Sequence, residues 1–381
     1  MNLTFSRKSK FILSFFTLIA IFMLWSFQKN KDYNMGKNKT YSFFLGTYTD
    51  STSQGIYKYL LQGDGKLKQI GLVAFSDNPS FLAISPDREF LLAVNEINID
   101  GVGTVESFLI TEDSLEFISK SSSGGAHPCF VAVNNAGFVA TANYTGGNVG
   151  LLKLNDNGEL SNVLALQQHF GSGTTERQKA PHAHSVWFEP NSDIVISIDL
   201  GTNELLFSHL DETSQKLLPS DDYKISMKPG AGPRHLAFHP NEKWIYVANE
   251  LNSTVTLIKK SDGNKYIKSI SVSSLPYGYA EPNTCADIRT SSDGKFVYAS
   301  NRGHNSIAIF EVHSDGTLRL IGNESTRGDG PRNFSLSPNE EYVLVANQRT
   351  HNIVSFKRDR KTGLLNFASE IKAPTPVCIV F

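Results

Sequence analysis

Several short motifs carry residue types that could bind an anion and transfer a proton. Histidine titrates near neutral pH, so it suits proton transfer. Arginine binds carboxylates and phosphates and can stabilise a developing oxyanion. The candidates, taken from the motifs HP, HAH, GPRH, VANE, SNRG and GPRN, are His127, His182, His184, Arg234, His235, Glu250, Arg302 and Arg332. Together these residues predict an anion-binding or catalytic site, provided that the fold brings them to one place.

Composition excludes some other classes of function. The chain has 381 residues and a formal net charge of −1, and no stripe of lysine and arginine alternates with aromatic residues. Such a surface does not favour nucleic-acid binding. The cysteines Cys129, Cys285 and Cys378 lie far apart, without the spacing of a zinc or haem site. We interpret them as buried strand residues, and they give no support to a redox protein that carries a quinone or haem.

The HAH motif raises the question of a metal. His182 and His184 are two residues apart, and alternate residues of a strand share one face. However, no further histidine or carboxylate stands at a spacing that would complete a ligand set. We therefore predict neither a metal nor any other cofactor.

A repeated pattern indicates the elements that hold these residues. Each repeat reads as a short strand, a turn rich in Pro, Asn, Asp and Gly, and a second strand that ends in Asn or Asp. The repeats begin at Asn78, His127, His182, Gly232, Thr284 and Gly330. Third strands such as NVGLLKL and SIAIFEV follow, usually with a fourth. The period of about 45–55 residues suits a unit of four short strands.

The two ends of the chain decide between a closed ring and an open array. The segment SFFLGTYTDSTSQGIYKYLL supplies a second and a third strand without a first, and the tail TPVCIVF supplies a first strand alone. Joined together they complete one blade and leave no exposed sheet edge. We predict an all-β fold, a seven-bladed β-propeller closed by pairing of its terminal strands.

This topology predicts which side chains meet. The start of the first strand and the end of the second lie at the same rim, so the residue after each proline-like position should face one mouth of the channel. Those residues are Ser80, Cys129, His184, Arg234, Ala286, Arg332 and Val377. The same rim would carry the ends of the second strands, including Glu250 and Arg302. A lone arginine there could form only a salt bridge between blades, and the repeated Asn suits a structural cap. Three clustered arginines require a compensating negative charge, either an anionic ligand or Glu250.

The N-terminus differs from the rest of the chain. Arg7, Lys8 and Lys10 precede an almost uninterrupted apolar run from Phe11 to Phe27, which as a helix nearly crosses a bilayer core. Bulky residues stand where a signal peptidase needs small ones, so we favour an uncleaved anchor over a cleaved signal. We predict a hydrophobic helix in residues 1–27, a linker in 28–40 and the propeller in 41–381. The protein would then be anchored in a membrane or exported, with its propeller outside the cytoplasm. Lysines on both sides of the run leave the cytoplasmic face open.

The chain from about Tyr41 onward also resembles a known family. GTYTDSTSQGIYKY, PHAHSVWFEP, GPRHLAFHPNEKWIYVANE and YASNRGHNSIAIFEV are similar to the lactonase family of seven-bladed propellers. That family includes propeller-type 6-phosphogluconolactonases and 3-carboxy-cis,cis-muconate lactonizing enzymes. The resemblance implies an active site made of His184, Arg234, Glu250 and Arg302, with His182 as the other candidate histidine.

Residues and resemblance together predict a metal-independent lactone hydrolase, with 6-phosphogluconolactone as the expected substrate. His184 or Glu250 would activate water, and Arg234 and Arg302 would hold the oxyanion. The further substrate-binding candidates are Arg332, His182, His235 and His127. The expected partners are a small anionic sugar lactone and, through the N-terminal segment, a membrane, and the propeller is expected to be monomeric. Export would favour an unphosphorylated sugar lactone. Two alternatives remain: a tethered propeller that binds an anionic ligand or a protein without catalysis, and a muconate-type cyclase.

Overall fold

The computed structural model describes residues 39–50, 52–261 and 265–381. The predicted anchor helix and most of the predicted linker lie outside these residues. Within them, no helix has the length and apolar character needed to cross a membrane.

The described residues form seven four-stranded antiparallel sheets, which are the blades of a propeller. The chain begins with β1 (Tyr41–Thr47), β2 (Gly55–Leu61) and β3 (Leu67–Phe75). Blade 1 contains β4 (Leu82–Ile84), β5 (Phe90–Ile99), β6 (Val102–Ile110) and β7 (Leu115–Ser122). Blade 2 contains β8 (Pro128–Val133), β9 (Phe138–Asn143), β10 (Asn148–Lys153) and β11 (Ala165–Gln168).

Four further blades follow in the same order. A turn of 3-10 helix (Glu176–Gln178) precedes blade 3, which contains β12 (Ala183–Phe188), β13 (Ile194–Asp199), β14 (Glu204–Asp211) and β15 (Lys216–Ser226). Blade 4 contains β16 (Pro233–Phe238), β17 (Trp244–Asn249), β18 (Thr254–Lys260) and β19 (Tyr266–Ser273). Blade 5 contains β20 (Thr284–Thr290), β21 (Phe296–Arg302), β22 (Ser306–Val312) and β23 (Leu318–Ser325). Blade 6 contains β24 (Pro331–Leu336), β25 (Tyr342–Asn347), β26 (Asn352–Arg358) and β27 (Leu365–Lys372).

Blade 7 closes the ring as predicted. The last strand, β28 (Pro376–Val380), pairs with β1, and β1 continues through β2 to β3. Leu45 lies opposite Ile379 in this ladder, and the rings of Phe43 and Phe381 are 5.4 Å apart. The prediction of an all-β seven-bladed propeller is confirmed.

Apolar packing between blades explains why the strands take these positions. One cluster of buried apolar side chains lies at each of the seven junctions between neighbouring blades in the described structure. At the junction of blades 3 and 4, Ile196 and Leu205 pack with Leu236 and Val247. A strand covered on both faces is apolar at consecutive positions, which is why β9 is buried throughout.

The repeated asparagines at the ends of the second strands are structural. Asn143, Asn301 and Asn347 are buried, and their side-chain amides donate to backbone carbonyls of the connection that precedes each blade. These bonds hold the connection between blades against the second strand. They support the interpretation of these asparagines as caps.

The innermost strands surround a central channel that differs at its two ends. At the end of the channel where the innermost strands finish, residues of all seven of these strands line a cavity of about 620 Å³. Its side chains include Phe81, Phe130, Trp187 and Phe238. The opposite end is polar, and it holds the candidate site.

Candidate active site

Irregular pairing of the innermost strands directs several candidate side chains toward the polar mouth. In six blades the ladder with the second strand skips the residue after the proline-like position. In blades 2, 3, 4 and 6 the skipped residues are Cys129, His184, Arg234 and Arg332. Such a β-bulge leaves one residue unpaired and changes the direction of its side chain. Because the bulge occurs at the same strand position in these blades, the side chains of the bulged residues point in the same direction, toward the polar mouth.

A cavity of about 390 Å³ opens at this end, and we call it the mouth cavity. All seven blades contribute to its lining through their strands or adjoining loops, and Tyr48 is the contribution of blade 7. The lining residues are Tyr48, Glu96, Cys129, Tyr144, Arg177, His184, Glu250, Thr284, Arg302, Arg332 and Arg349.

Glu250 lies at the centre of the charged cluster. Arg177 is 3.0 Å from its Oε1 atom, while Arg234 and Arg302 are each 3.1 Å from its Oε2 atom. Burial alone would raise the pKa of Glu250, but Arg302, Arg234 and Arg177 lower it to about 2. Glu250 is therefore a carboxylate at neutral pH, as a buried charge with several arginine partners must be.

His184 faces the same carboxylate from the next blade. Its Nε2 atom is 3.9 Å from Glu250 Oε2, and its Nδ1 atom is 3.6 Å from the sulfur of Cys129. Burial, followed by the positive charges of Arg234 and Arg332, holds the pKa of His184 well below 6.5. The imidazole is therefore neutral at pH 7 and can accept a proton.

Arg332 forms the other side of the mouth cavity with Tyr48 and Glu96. Tyr48 Oη donates a hydrogen bond of 2.8 Å to Glu96 Oε2, and the Arg332 guanidinium lies 5.2 Å from the centre of the Tyr48 ring. Arg332 is 3.8 Å from Glu96 Oε2. Burial is the main reason that the pKa of Tyr48 is raised, so its hydroxyl stays protonated and donates to the carboxylate.

A buried polar layer lies below Arg234 in the channel. Arg234 Nη1 donates to the backbone oxygen of Ala286 and is 3.3 Å from His235 Nε2. His235 Nδ1 is 2.9 Å from Asp287 Oδ1, and Asn333 donates to Asp287 Oδ2 at 2.6 Å. Burial and then the charge of Arg234 lower the pKa of His235 to about 3, so this histidine is neutral. The layer fixes the position of Arg234.

The structure brings together most, though not all, of the predicted site residues. His184, Glu250, Arg302 and Arg332 line the mouth cavity, and Arg234 contacts Glu250 directly. His182 stacks on Tyr144 at 4.4 Å, just outside the lining.

Two predicted histidines lie elsewhere. His235 belongs to the buried layer, because it is the residue after the bulge and its ring turns into the channel. His127 lies at a half-buried position, with its Nδ1 atom 2.8 Å from the Thr145 hydroxyl. Neither lines the mouth cavity, so their predicted contact with substrate has no support in this geometry.

Sequence reasoning did not select Arg177, Tyr48 or Arg349. Arg177 lies in the longest connection between two blades, residues 169–182, outside the repeat. Its guanidinium reaches Glu250 and donates to Tyr144 Oη at 3.0 Å. The unusual length of this polar connection, which contains GSGTTERQK, was the signal that could have identified it.

Arginine side chains supply the charged donors of the mouth cavity. Within the part of the chain that the structure describes, no three His, Cys, Asp or Glu side chains lie close enough to hold a metal ion. The cysteines Cys129, Cys285 and Cys378 are free and buried, as predicted.

Comparison with known proteins identifies the family. A family model described as "Lactonase, 7-bladed beta-propeller" matches residues 42–381. This chain belongs to the lactonase family of seven-bladed β-propellers. The predictions of family and of enzyme class are therefore confirmed.

Individual relatives cover nearly the whole propeller. A 6-phosphogluconolactonase of Bacillus subtilis is 35% identical over 348 residues, which is 90% of this chain and 98% of that protein. The structure of the periplasmic gluconolactonase of Pseudomonas aeruginosa matches with a TM-score of 0.85 and 28% identity, covering 90% of this chain and 99% of that one. A crystal structure from Lactobacillus plantarum matches with the same TM-score and 33% identity, over 90% of this chain and 99% of that chain.

Proposed function

We propose that this lactonase hydrolyses 6-phosphogluconolactone to 6-phosphogluconate in the mouth cavity, without a metal ion. The observation that carries the proposal is the excess of positive charge around that cavity. The names of two relatives, a 6-phosphogluconolactonase and a gluconolactonase, support the same reaction type with a phosphorylated or an unphosphorylated sugar lactone.

The charge balance favours a substrate with a dianionic group. Four arginines of the cluster, Arg177, Arg234, Arg302 and Arg332, face two carboxylates, Glu96 and Glu250. The described cluster therefore carries two uncompensated positive charges, which are costly to desolvate without an anion. A phosphate monoester carries nearly two negative charges at pH 7. Such a ligand would neutralise the cluster.

His184 is the better candidate for the base. Glu250 is bound by three arginines at 3.0–3.1 Å, which hold it in its ionised form and make it a weak base. The pKa of His184 is depressed by burial and by arginines that an anionic substrate would offset. Binding of the substrate therefore raises the basicity of His184 where it is needed.

The reaction then takes two steps. The oxygen of a water molecule attacks the lactone carbonyl carbon while His184 takes its proton, and the carbonyl oxygen becomes an oxyanion beside Arg234 and Arg302. The tetrahedral intermediate collapses, the bond from the carbonyl carbon to the ring oxygen breaks, and the imidazolium returns its proton to that oxygen. The product is an open-chain hydroxy acid. Glu250 stabilises the imidazolium and positions the two arginines, and Arg332 binds the anionic group of the substrate.

The test follows acid release from 6-phosphogluconolactone and gluconolactone by the full chain in the presence of EDTA, after subtraction of the spontaneous rate. The expected result is turnover of both, with a higher kcat/KM for the phosphorylated lactone. Arg302→Gln should lower kcat/KM about 100-fold, because it removes a donor to the oxyanion. Arg319→Gln is the matched control, since Arg319 also pairs with a glutamate but lies exposed on blade 5.

Two results would contradict the proposal. No rate above background with either lactone would favour the tethered propeller that binds without catalysis. Full activity in Arg302→Gln, with unchanged melting temperature, would move the reaction away from the mouth cavity.

A further inference from the structure

The side of the mouth cavity opposite Glu250 contains a second carboxylate that the proposed mechanism does not use. Glu96 follows Asn95 in β5, and its side chain is 18% exposed. Its Oε2 atom accepts the hydrogen bond from Tyr48. Its Oε1 atom accepts no hydrogen bond from any residue that the structure describes, although Glu96 lines the cavity.

Arg332 beside it also has unused hydrogen-bonding groups. Its side chain is 17% exposed, and its guanidinium donates no hydrogen bond to the described residues. Arg234 and Arg302, in contrast, each donate to a backbone carbonyl. A free acceptor and free donors therefore stand side by side in one wall of the cavity, held in place by the Tyr48 ring and hydroxyl.

An acceptor next to a donor suits the hydroxyl groups of a sugar. A hydroxyl can donate to Glu96 Oε1 and accept from Arg332, whereas a carboxylate group can only accept. A substrate carboxylate near Glu96 would meet a like charge, and like charges at close range repel strongly inside a protein. The wall therefore favours a polyhydroxylated ligand over a polycarboxylate.

We propose that Glu96, oriented by Tyr48, binds substrate hydroxyl groups and selects polyhydroxylated lactones against polycarboxylates in this cavity. The inference deepens the proposed lactone hydrolysis and rests on it for the orientation of the substrate. Glu96 supplies the charged acceptor for the hydroxyl groups, while the anionic group of the substrate lies on the side of Arg332 away from Glu96 Oε1.

The test measures binding by isothermal titration calorimetry to the full chain, so that it does not depend on turnover. The ligands are gluconate, 5-hydroxyvalerate, which lacks the additional hydroxyls, and the tricarboxylate tricarballylate. Wild type should bind gluconate more tightly than 5-hydroxyvalerate. In Glu96→Gln that preference should fall about 10-fold, because a charged hydrogen bond becomes a neutral one. Affinity for tricarballylate should rise several-fold, since a like charge is removed.

The predicted changes for gluconate and for tricarballylate have opposite signs, which distinguishes a loss of ligand recognition from damage to the fold. Loss of affinity for all three ligands in Glu96→Gln would overturn the proposal, as would the absence of any preference for gluconate in wild type. Glu311→Gln, a change at the exposed partner of Arg319, should leave all three affinities unaltered. If wild type shows the preference but hydrolyses no lactone, the proposed reaction fails and the hydroxyl subsite stands. If wild type hydrolyses lactones and Glu96→Gln keeps the preference, the subsite alone fails.

Discussion

His184 and Glu250 lie 3.9 Å apart, yet their surroundings stabilise different protonation states. The arginines keep Glu250 ionised, with its pKa lowered to about 2 against the effect of burial. Burial and the same positive field keep His184 neutral. A neutral base and an adjacent fixed anion form a pair in which the anion stabilises the base once it is protonated. This division of roles follows from burial, which keeps His184 neutral, and from the three arginines that contact Glu250.

The pH dependence of hydrolysis follows from this pair. His184 must be neutral to accept a proton, so activity is lost as pH falls through its pKa. Because that pKa lies well below 6.5 in the free protein, kcat/KM should stay constant from pH 8 to 6.5 and decline only below it. The measurement uses gluconolactone, which has no titrating phosphate, with the spontaneous rate subtracted.

A second profile tests the cause of the shift. With 6-phosphogluconolactone the acid limb of kcat should lie at higher pH than the limb of kcat/KM, because the bound dianion offsets Arg234 and Arg332. The phosphate itself titrates near pH 6, so the gluconolactone profile is its control. An acid limb of kcat/KM at or above pH 6.5 with gluconolactone would contradict a depressed His184.

The direction of the His235 side chain could not be predicted from the sequence. The motif GPRH places Arg234 and His235 side by side, and topology alone assigns both to the rim. The bulge at Arg234 sends this side chain to Glu250 and the next one to Asp287 in the channel. The direction of a side chain at a β-bulge depends on the register of the two paired strands. The identities of neighbouring residues do not reveal that register.

At the scale of elements, the repeat predicted the blades and their innermost strands well. The proline-like entry, the turn and the closing Asn or Asp recur in blades 1 to 6, so one topological position places His184, Arg234 and Arg332 at one rim. Connections between blades do not repeat, and for that reason Arg177 and Tyr48 escaped selection. A residue that reaches the site from an irregular segment has no periodic partner to reveal its position.

The connection of residues 169–182 is itself well anchored. The Gln178 side chain is buried and donates to the backbone oxygen of Leu200 and to Asn203. Gly201 permits a close approach of this connection to blade 3, because a Cβ atom there would lie 1.9 Å from the oxygen of Ala180. The hydrogen bonds of Gln178 and the close packing at Gly201 hold the neighbouring Arg177 over the mouth cavity.

We therefore expect Gln178 to act on the substrate through Arg177. Arg177→Gln and Gln178→Ala should each raise KM for 6-phosphogluconolactone about 5–10-fold with a smaller effect on kcat, as loss of one exposed charged contact would. The double variant should show little further increase, because the two changes remove the same contact. Steady-state kinetics of the two single variants and the double variant give the coupling. Independent, multiplicative effects would show that the connection does not position Arg177.

At the scale of the whole molecule, ring closure determines the face of the propeller at which β1 begins. β1 runs from Tyr41 to Thr47, and Tyr48 just beyond it lines the mouth cavity. A strand of this length spans roughly 23 Å at about 3.3 Å per residue, so Tyr41 lies near the opposite face. The first strand thus begins on the face of the propeller away from the mouth cavity. Ring closure could be predicted from the complementary ends of the sequence. The face at which β1 begins could be read only from the pairing of β1 with β28 in the structure.

This geometry gives the predicted anchor a specific consequence. A membrane tether through residues 1–27 would join the propeller at the end of β1 that lies away from the mouth cavity. Deletion of residues 1–27 should therefore move the protein from the membrane pellet to the supernatant on ultracentrifugation, while kcat and KM for a soluble lactone change less than twofold. Replacement of Leu18 and Ile21 by lysine in the full chain should have the same effect on partition, since charges at the centre of the run oppose insertion. Protease added to intact cells should digest the propeller if it lies outside the cytoplasm. Full-length protein in the supernatant would contradict the uncleaved anchor, and a large change in KM upon deletion would contradict an active site directed away from the tether.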